Sequence, residues 1–354
     1  MPTEDPALPF GTISSLQPLL TIAIPTYNRV EDLERLLTFL EPQIRNRPEV
    51  DLYLSDNAST DATPELIARF QASGMPIRYH RHPENIGADG NFASCFESAR
   101  GKYFWLCGDD EVVLPGGLDL ILSQLSSPNP ADDLDILYLA SYNFNNDPVA
   151  EFRPDRLLRN HHTITSAKKL VFLLNINFTF ISAVIVNRQR LLELPHEEPS
   201  AFLGTNLIQL SWSLPLLRAH RRSRILWTRV IASRWGNSGG YSLGRIFGKN
   251  LSEVTTRLLP DRPDLSTLLL NFAIRLWFPS TILGLRESNE QTMQLEETHK
   301  IMKPIFARNF RYWLFTYPAL RLPLPLANIW VKVGRKLGSI ADHLRNPFFW
   351  RKTT

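Results

Sequence analysis

Three consecutive acidic residues, Asp109, Asp110 and Glu111, follow an apolar run at residues 103–107. Adjacent carboxylates repel one another unless a cation lies among them, and their oxygens are ligands that suit Mg²⁺ or Mn²⁺. The acid cluster therefore predicts a divalent metal ion and, with it, a phosphate group on the ligand. An acidic surface turn that caps the helix beginning near Gly117 would explain the same residues.

Apolar runs alternate with helical patterns along the first third of the chain. Runs typical of strands cover residues 20–24, 50–55, 77–80 and 103–107. Patterns typical of helices cover residues 30–40, 63–70 and 92–99. This alternation predicts an α/β fold with a mostly parallel, doubly wound sheet. Such sheets bind ligands at the carboxyl ends of their strands, which is where the polar residues of this sequence fall.

The second of these strands leads into Asp56, a lone carboxylate at the predicted ligand edge. A carboxylate oxygen there could accept an N–H from a planar base, and residues 25–27 could supply backbone groups and a ring beside it. The alternative is that Asp56 caps the following helix. Asn85 and Gly87 follow the third strand, and they suit either a ligand loop or an ordinary turn with positive φ.

Four segments, taken in this order, resemble the motifs of the family 2 glycosyltransferases of the GT-A fold. They read Pro-Thr-Tyr-Asn-Arg at residues 25–29, Ser-Asp-Asn-Ala-Ser-Thr-Asp at 55–61, Asn-Ile-Gly at 85–87 and Gly-Asp-Asp-Glu at 108–111. The resemblance covers about a third of the chain, roughly residues 19–125. It implies a metal-dependent enzyme that moves a hexose or deoxyhexose from a nucleotide diphosphate donor, with Mg²⁺ or Mn²⁺ as cofactor.

The resemblance also assigns roles to single residues. Asp56 would hold the nucleotide base, and Asp110, aligned from Pro115, would carry the metal ion, with Glu111 as a further metal ligand. Gly108 occupies the place where many members have their first Asp. The other candidates for binding the sugar donor are Pro25, Thr26, Tyr27, Asn28, Asn57, Asn85, Gly87, Asp109, Ser182 and Trp235.

Two candidate sites lie in the second half of the chain. Residues 178–182 resemble the stretch that lies against the donor sugar in O-antigen sugar transferases of this family, which makes Ser182 a candidate sugar contact. The alternative is a hydroxyl within a buried strand. Glu197 and Glu198 lie where many relatives have an acidic pair ahead of a helix, here residues 206–218, so they are the candidate catalytic bases. The alternative is that both are solvated loop acids.

A glycine-rich loop at residues 234–241 has an aromatic residue near each end, Trp235 and Tyr241. Its backbone could close over a diphosphate or an acceptor sugar while the rings stack on sugar faces. An ordinary flexible surface loop is the alternative.

The composition indicates a soluble globular protein. Of 354 residues, 44% are hydrophobic and 21% are charged, which fits two domains or one domain with an appendage. Cys95 and Cys107 lie in apolar or helical surroundings, so we expect buried free thiols and a reducing cytoplasm. The first residues predict no signal peptide. The longest apolar stretch, residues 267–285, contains Asn271 and Arg275 and predicts a buried helix pair rather than a membrane span.

The chain from Lys303 onward is basic and aromatic, with ten Lys and Arg residues against a single acid, Asp342. Apolar residues recur there at helical spacing at Phe306, Phe310, Trp313, Leu314 and Tyr317. Bases interleaved with aromatic residues predict a segment that lies on an anionic inner-leaflet surface. A helix packed on the catalytic domain is the alternative.

The predicted domains are an N-terminal extension (1–18), a GT-A catalytic domain (19–245) and a helical C-terminal region (246–354). The catalytic domain divides near residue 128 into a nucleotide-sugar half and an acceptor half. The expected reaction is transfer from a nucleotide diphosphate sugar, with UDP as the expected nucleotide, to a hydroxyl of a polyprenyl-diphosphate-linked saccharide in O-antigen or other surface polysaccharide synthesis. We expect a cytoplasmic enzyme peripherally associated with the inner membrane and no nucleic-acid partner.

Two other functions remain open from the sequence. A non-catalytic nucleotide- or sugar-binding protein on the same scaffold would explain Gly108 and the departure of Glu197-Glu198 from the usual Glu-Asp pair. A nucleotidyltransferase would share the sheet and the metal ion. It would, however, need a basic glycine-rich loop after its first strand, and residues 25–28 do not form one.

Overall fold

The computed structural model describes residues 17–153, 161–234, 240–288 and 293–345. Trp235 and most of the glycine-rich loop lie outside the described residues, as do the last aromatic residues of the chain and residues 1–16.

Strands and helices alternate along the first part of the chain, as the sequence predicts. The strands are β1 (Leu20–Thr26), β2 (Val50–Asp56), β3 (Ile77–Arg81), β4 (Tyr103–Leu106), β5 (Glu111–Val113), β6 (Ile136–Phe144), β7 (His161–Ile164), β8 (Val184–Asn187), β9 (Ser223–Arg234), β10 (Tyr241–Ser242) and β11 (Met293–Gln294).

The helices of the first two thirds are α1 (Val30–Ile44), α2 (Thr63–Ala72), α3 (Gly87–Glu97), α4 (Gly117–Leu125), α5 (Ala167–Leu174), α6 (Arg188–Glu193) and α7 (Leu210–Arg218). Those that follow are α8 (Leu251–Leu258), α9 (Pro263–Phe272), α10 (Phe278–Glu287), α11 (Thr298–Phe306), α12 (Tyr317–Arg321) and α13 (Leu324–Arg345). In α1, buried leucines recur at helical spacing and two acids occupy the first turn, where the helix dipole favours them.

One sheet contains β1 to β9 in the order β3-β2-β1-β4-β8-β6-β9-β5, with β7 paired to β9. The strands β3, β2, β1 and β4 are parallel. Their register aligns Thr26 with Asp56 and Asp56 with Arg81, so these strands end at one edge. Beyond β4 the sheet is mixed, since β8 runs antiparallel to both β4 and β6. This mixed α/β architecture confirms the predicted fold class.

The sheet is covered on both faces, which explains the continuous apolar runs of its strands. Within β1, Ile22 and Ile24 belong to the core that contains α1, whereas Ala23 belongs to the core that contains α3. Cys95 and Cys107 are buried free cysteines, as predicted.

Residues 263–287 form one continuous helical element, so the predicted helix pair is wrong. A π-helical stretch, Ala273–Trp277, joins α9 to α10 and places Pro279 in the first turn of α10, where proline is tolerated. Among the described residues, this helix is long and apolar enough to cross a bilayer. A single helix of this kind is weak evidence for a membrane span, and 39% of its most apolar window is buried in the protein.

The predicted aromatic stripe of the C-terminal region divides between two environments. Phe306 is buried in a core with Tyr312 and Phe278. Phe310 and Trp313 are exposed instead. Part of the stripe therefore packs on the protein, as the alternative prediction had it, and part faces outward.

Candidate functional site

The loops after β1 and β2 are joined by side-chain hydrogen bonds at the carboxyl edge of the sheet. Asn28, which has a φ of 51°, accepts the backbone N–H of Thr60 at 2.7 Å, and its own N–H donates to Ser59 Oγ at 3.0 Å. Asp61 accepts the N–H of Val30, the first residue of α1. These bonds bring the predicted residues Pro25 to Asn28 beside the Asp56 loop.

The Asp56 side chain is fully buried and already has partners. Its Oδ1 accepts the N–H of Ser59 at 2.8 Å, and its Oδ2 accepts the hydroxyl of Tyr79 at 2.8 Å and lies 3.5 Å from Arg81 Nε. Burial, followed by the hydrogen bond to Asp56, raises the pKa of Tyr79. A carboxylate has about four lone-pair positions, so Asp56 retains acceptor capacity for a base. The exposed ring of Tyr27 lies on the neighbouring loop.

Asn57, Asn85 and Gly87 meet as one hydrogen-bonded group. Asn57 Nδ2 donates to Asn85 Oδ1 at 2.8 Å and to the carbonyl oxygen of Gly87 at 3.2 Å, while Asn57 Oδ1 accepts the N–H of Ile86 at 2.9 Å. Gly87 has a φ of +78°, so the turn that the sequence predicts is present. These residues fix the start of α3 next to the Asp56 loop.

Asp109 is held by two residues of the loop after β1. Its Oδ2 accepts the hydroxyl of Thr26 at 2.8 Å, and its Oδ1 accepts Arg29 Nη1 at 3.1 Å. Arg29 Nη1 also lies 3.6 Å from Asp110 Oδ2. Burial raises the pKa of Asp109 to about 7, although the charge of Arg29 opposes that rise. Arg29, which the sequence analysis did not select, is therefore the cation of the acid cluster.

Glu111 is buried at the start of β5. Burial, followed by the charge of Asp110, raises the pKa of Glu111 to about 8, while the nearby hydroxyls of Ser182 and Ser233 oppose the rise. Among the described residues, its Oε2 has no hydrogen-bond partner. The neighbouring groups therefore leave part of the buried carboxylate charge of the cluster uncompensated.

Gly108 and Ser182 hold the turn that carries these acids. The N–H of Gly108 donates to Ser182 Oγ at 3.0 Å. A Cβ on residue 108 would lie 2.9 Å from Asp110 Oδ1, so a larger residue here would make the end of the Asp110 side chain shift. Ser182 lies in a 3₁₀ turn, Ile181–Ala183, and not in a strand, so the strand alternative is wrong. Its role as a sugar contact stays a prediction.

The acid cluster can hold a metal ion only if a bound ligand supplies further oxygen atoms. Within the described part of the chain, no three His, Cys, Asp or Glu side chains gather closely enough to hold a metal ion. Mg²⁺ usually takes one or two carboxylates plus phosphate oxygens, so a complete protein cage is not required. The Asp110 side chain is 17% exposed against 6% for Asp109. Asp110 is thus the carboxylate better placed to meet a metal–diphosphate complex, and the orphaned Glu111 oxygen is consistent with an added cation.

Glu197 and Glu198 do not contact the acid cluster in the described structure. Glu197 forms an ion pair with Arg257 of α8, and the Glu198 side chain is 75% exposed near His196. The chain reaches them after β8, which runs antiparallel to β4 and therefore away from Asp109. None of these contacts supports the assignment of either residue as the catalytic base, which stays a prediction.

Asp89, in the first turn of α3, is a buried residue that the sequence analysis missed. Its Oδ2 accepts the N–H of Asn206 at 2.9 Å, and the N–H groups of Gly204 and Thr205 also face it. Burial raises its pKa, and these backbone groups oppose the rise. Gly204 and Asn206 both have positive φ, so the carboxylate holds a loop of unusual backbone conformation. A sequence separation of 117 residues left no local signal for this contact.

Comparison with known proteins links the first part of the chain to a glycosyltransferase family. Residues 21–192 match the model of "Glycosyl transferase family 2". An abequosyltransferase from Salmonella typhimurium is 37% identical over 110 residues, which are 31% of this chain and 33% of that protein. A "GalNAc(5)-diNAcBac-PP-undecaprenol beta-1,3-glucosyltransferase" from Campylobacter jejuni is 25% identical over 108 residues, 30% of this chain and 34% of that protein. The matches span about a third of these curated relatives.

The fold has solved counterparts. The crystal structure of S. aureus TarS 1–349 in complex with UDP-GlcNAc matches with a TM-score of 0.58 at 16% identity, covering 93% of this chain and 92% of that one. At this identity the likeness establishes the GT-A fold alone.

Proposed function

We propose that this protein, whose residues 21–192 form a family 2 glycosyltransferase domain, transfers a sugar from a nucleotide diphosphate donor to a hydroxyl of a lipid-linked saccharide. The observation that carries the proposal is the meeting of two sites at one edge of the sheet. Asp56 and Asn57 follow the end of β2, where they would bind a nucleobase, and Asp109 and Asp110 follow the end of β4, two strands away. A nucleoside diphosphate has its base and its anionic phosphates at opposite ends, which suits these two sites.

Five of the predicted donor-site residues have a stated chemical role in this proposal. Asp56 accepts an N–H of the base, with uracil N3–H as the natural partner, and the exposed Tyr27 ring packs beside the base. Asp110, with Asp109 and Glu111 in support, would hold Mg²⁺ or Mn²⁺ on the diphosphate. The bound ion would act as a Lewis acid that stabilises the charge of the leaving diphosphate. Ser182, through its bond to Gly108, keeps the acid turn in place.

The transfer reaction exchanges one bond at the anomeric carbon. The acceptor hydroxyl oxygen bonds to that carbon as the bond to the diphosphate breaks, and the electron pair leaves with the diphosphate. The hydroxyl proton passes to a base, for which Glu197 and Glu198 are the predicted candidates. Excluding water from the closed site would favour the acceptor hydroxyl over hydrolysis.

The lipid-linked acceptor is proposed from relatives. The Campylobacter protein is named for an undecaprenol-diphosphate substrate, and the Salmonella protein for a deoxysugar transfer. By analogy we propose a polyprenyl-diphosphate-linked saccharide and a role in surface polysaccharide synthesis. Such an acceptor is anchored in a membrane, so the enzyme must work at the membrane surface on the cytoplasmic side, where nucleotide sugars are dissolved.

Binding of nucleoside diphosphates tests this function. We expect one of UDP, CDP, dTDP and GDP, present at about 100 times its Kd with Mn²⁺, to stabilise the fold by about 2.7 kcal/mol. Thermal unfolding with each nucleotide, with and without Mn²⁺, measures the effect. The matching nucleosides serve as controls, because they lack the diphosphate. If all four nucleotides leave the melting temperature unchanged, the function is wrong.

One observation favours a non-catalytic binding protein as a second candidate. The predicted base Glu197 is engaged with Arg257 and does not reach the acids. A protein of that kind would bind the nucleotide sugar without releasing nucleoside diphosphate. Measuring nucleoside diphosphate release from the nucleotide sugar that binds separates the two functions.

We also propose that an outward apolar face of the C-terminal helices holds the enzyme on the membrane. Phe310 is 63% exposed and Ile329 is 60% exposed. The indole N–H of Trp330 donates to the carbonyl oxygen of Leu314 at 2.7 Å, which joins the segment before α12 to α13 in one surface. Residues 303–336 contain no acid, and their bases are mostly exposed. Each base near an anionic surface contributes about 1 kcal/mol, and the aromatic side chains add interfacial burial.

Sedimentation with liposomes tests this attachment. We expect the protein to bind anionic liposomes at low salt and to be released at high salt, with weak binding to neutral liposomes. The double substitution Phe310→Ser and Ile329→Ser should weaken binding about tenfold or more, because it removes two interfacial side chains. Val149→Ser is the matched control, since Val149 is also exposed but lies elsewhere. Equal binding by the double variant and the control would contradict the assignment of this face.

A further inference from the structure

Arg29 contacts both members of the acid pair. Its Nη1 donates to Asp109 Oδ1 at 3.1 Å and lies 3.6 Å from Asp110 Oδ2. The Arg29 side chain is 37% exposed, whereas that of Asp109 is 6% exposed. The guanidinium group is therefore more accessible to a ligand from solvent than the Asp109 carboxylate that it binds.

The guanidinium supplies the charge that the acid pair needs before any ligand binds. The second oxygen of Asp109 receives only the neutral hydroxyl of Thr26. Two adjacent carboxylates in a half-buried site repel each other strongly, and a cation between them removes most of that cost. Arg29 thus reduces the repulsion between the two carboxylates in the ligand-free site, as a metal ion would in the loaded site.

We propose that Arg29 is a diphosphate-binding residue that competes with the divalent ion for Asp109 and Asp110 and exchanges these carboxylates for phosphate oxygens when metal and nucleotide bind together. The inference rests on the proposed function. A metal ion on the same carboxylates repels the guanidinium, since both are positive. A diphosphate resolves the conflict, because its anionic oxygens accept hydrogen bonds from a guanidinium as well as carboxylate oxygens do.

The exchange makes metal binding depend on the nucleotide. Without a diphosphate, the divalent ion must displace Arg29 and leave its charge without a close anion, so the ion binds weakly. With a diphosphate, both cations have partners, so the ion binds tightly. Linkage requires the converse as well, so the ion strengthens nucleotide binding by the same factor.

Calorimetry with Mn²⁺ alone tests the competition. We expect Arg29→Gln to bind Mn²⁺ in the absence of nucleotide at least tenfold more tightly than the unchanged protein does. In saturating Mn²⁺, the same variant should bind the preferred nucleoside diphosphate at least tenfold more weakly. Electron paramagnetic resonance of free Mn²⁺ gives an independent measure of metal binding, and neither readout depends on turnover.

Two further variants separate charge from geometry and from general effects. Arg29→Lys keeps the charge but loses the planar fork, so it should keep the weak Mn²⁺ binding and still lose part of the nucleotide affinity. Arg45→Gln removes the same charge just after α1, at a residue paired with Glu41 on the surface, so both affinities should stay unchanged. If circular dichroism shows that Arg29→Gln does not fold, the Mn²⁺ and nucleotide affinities of Arg29→Lys decide whether Arg29 has the proposed role.

The outcomes distinguish this inference from the proposed function. Unchanged or weaker Mn²⁺ binding by Arg29→Gln would overturn the competition, and so would unchanged nucleotide affinity in both Arg29 variants. If the unchanged protein binds no nucleoside diphosphate, the proposed function fails. The titration with Mn²⁺ alone then still decides whether Arg29 competes for the acids.

Discussion

Asp110→Asn lowers the rate of nucleoside diphosphate release by at least about 10²-fold and leaves the melting temperature nearly unchanged. Asparagine keeps the volume of the side chain that folds back over Gly108, so the acid turn retains its packing. It loses the charge that anchors the metal ion on the diphosphate. A metal ion contributes several kcal/mol to stabilising transition-state charge, and each 1.36 kcal/mol is a factor of ten in rate.

Turnover and thermal unfolding are measured on the same preparations. Asp119→Asn is the matched control, because Asp119 is an exposed acid on α4 that pairs with Arg47 away from the site. The control should keep full turnover. If Asp110→Asn retains its metal-dependent turnover, Asp110 does not hold the ion and the metal must be anchored elsewhere.

Asp56→Asn weakens nucleotide binding by at least tenfold and also destabilises the fold. The two carboxylate oxygens accept bonds from Ser59 N–H and Tyr79 O–H. An asparagine amide has one oxygen, so one of these two buried donors would face an NH₂ group. An unsatisfied buried donor costs about 1–3 kcal/mol. The loss of charge removes the acceptor that the base requires.

Calorimetry gives the affinity, and the unfolding transition reports the stability separately. Tyr79→Phe is the control, because it removes one hydrogen bond of Asp56 and leaves the carboxylate in place. It should keep most of the nucleotide affinity. A folded Asp56→Asn protein that binds nucleotide as tightly as Tyr79→Phe would rule out the role of Asp56 in holding the base.

The parts of the fold that depend on local patterns could be predicted from the sequence. The four parallel strands are short apolar runs followed by polar residues, so the sequence predicts both the positions of the strands and the edge of the sheet that binds ligands. Gly87 was readable as a turn with positive φ because glycine has no Cβ to resist it. The continuity of α9 and α10 could not be predicted from the sequence, because a proline inside a helical pattern usually ends the helix. In the structure, the π-helical stretch places Pro279 in the first turn of α10.

The parts of the site that depend on distant contacts could not be predicted. Ser182 was selected as a sugar contact, but its bond to Gly108 requires knowledge of how β8 lies on β4. Arg29 was part of a recognised motif, yet only the fold places its guanidinium on Asp109, which is 80 residues away. Buried carboxylates such as Asp89 look like surface acids in a sequence, because burial is a property of the folded chain.

The Asp89 contact limits how this protein can be recombined with its relatives. The carboxylate belongs to the predicted nucleotide-sugar half, and the loop at Gly204 to Asn206, which it contacts, belongs to the predicted acceptor half. A chimera that joins this chain's first half to another enzyme's second half inherits a buried acid and must supply a loop with N–H groups aimed at it. Without such a loop, the junction carries an uncompensated charge, so crossovers chosen to alter acceptor choice should keep Asp89 and its loop from the same parent.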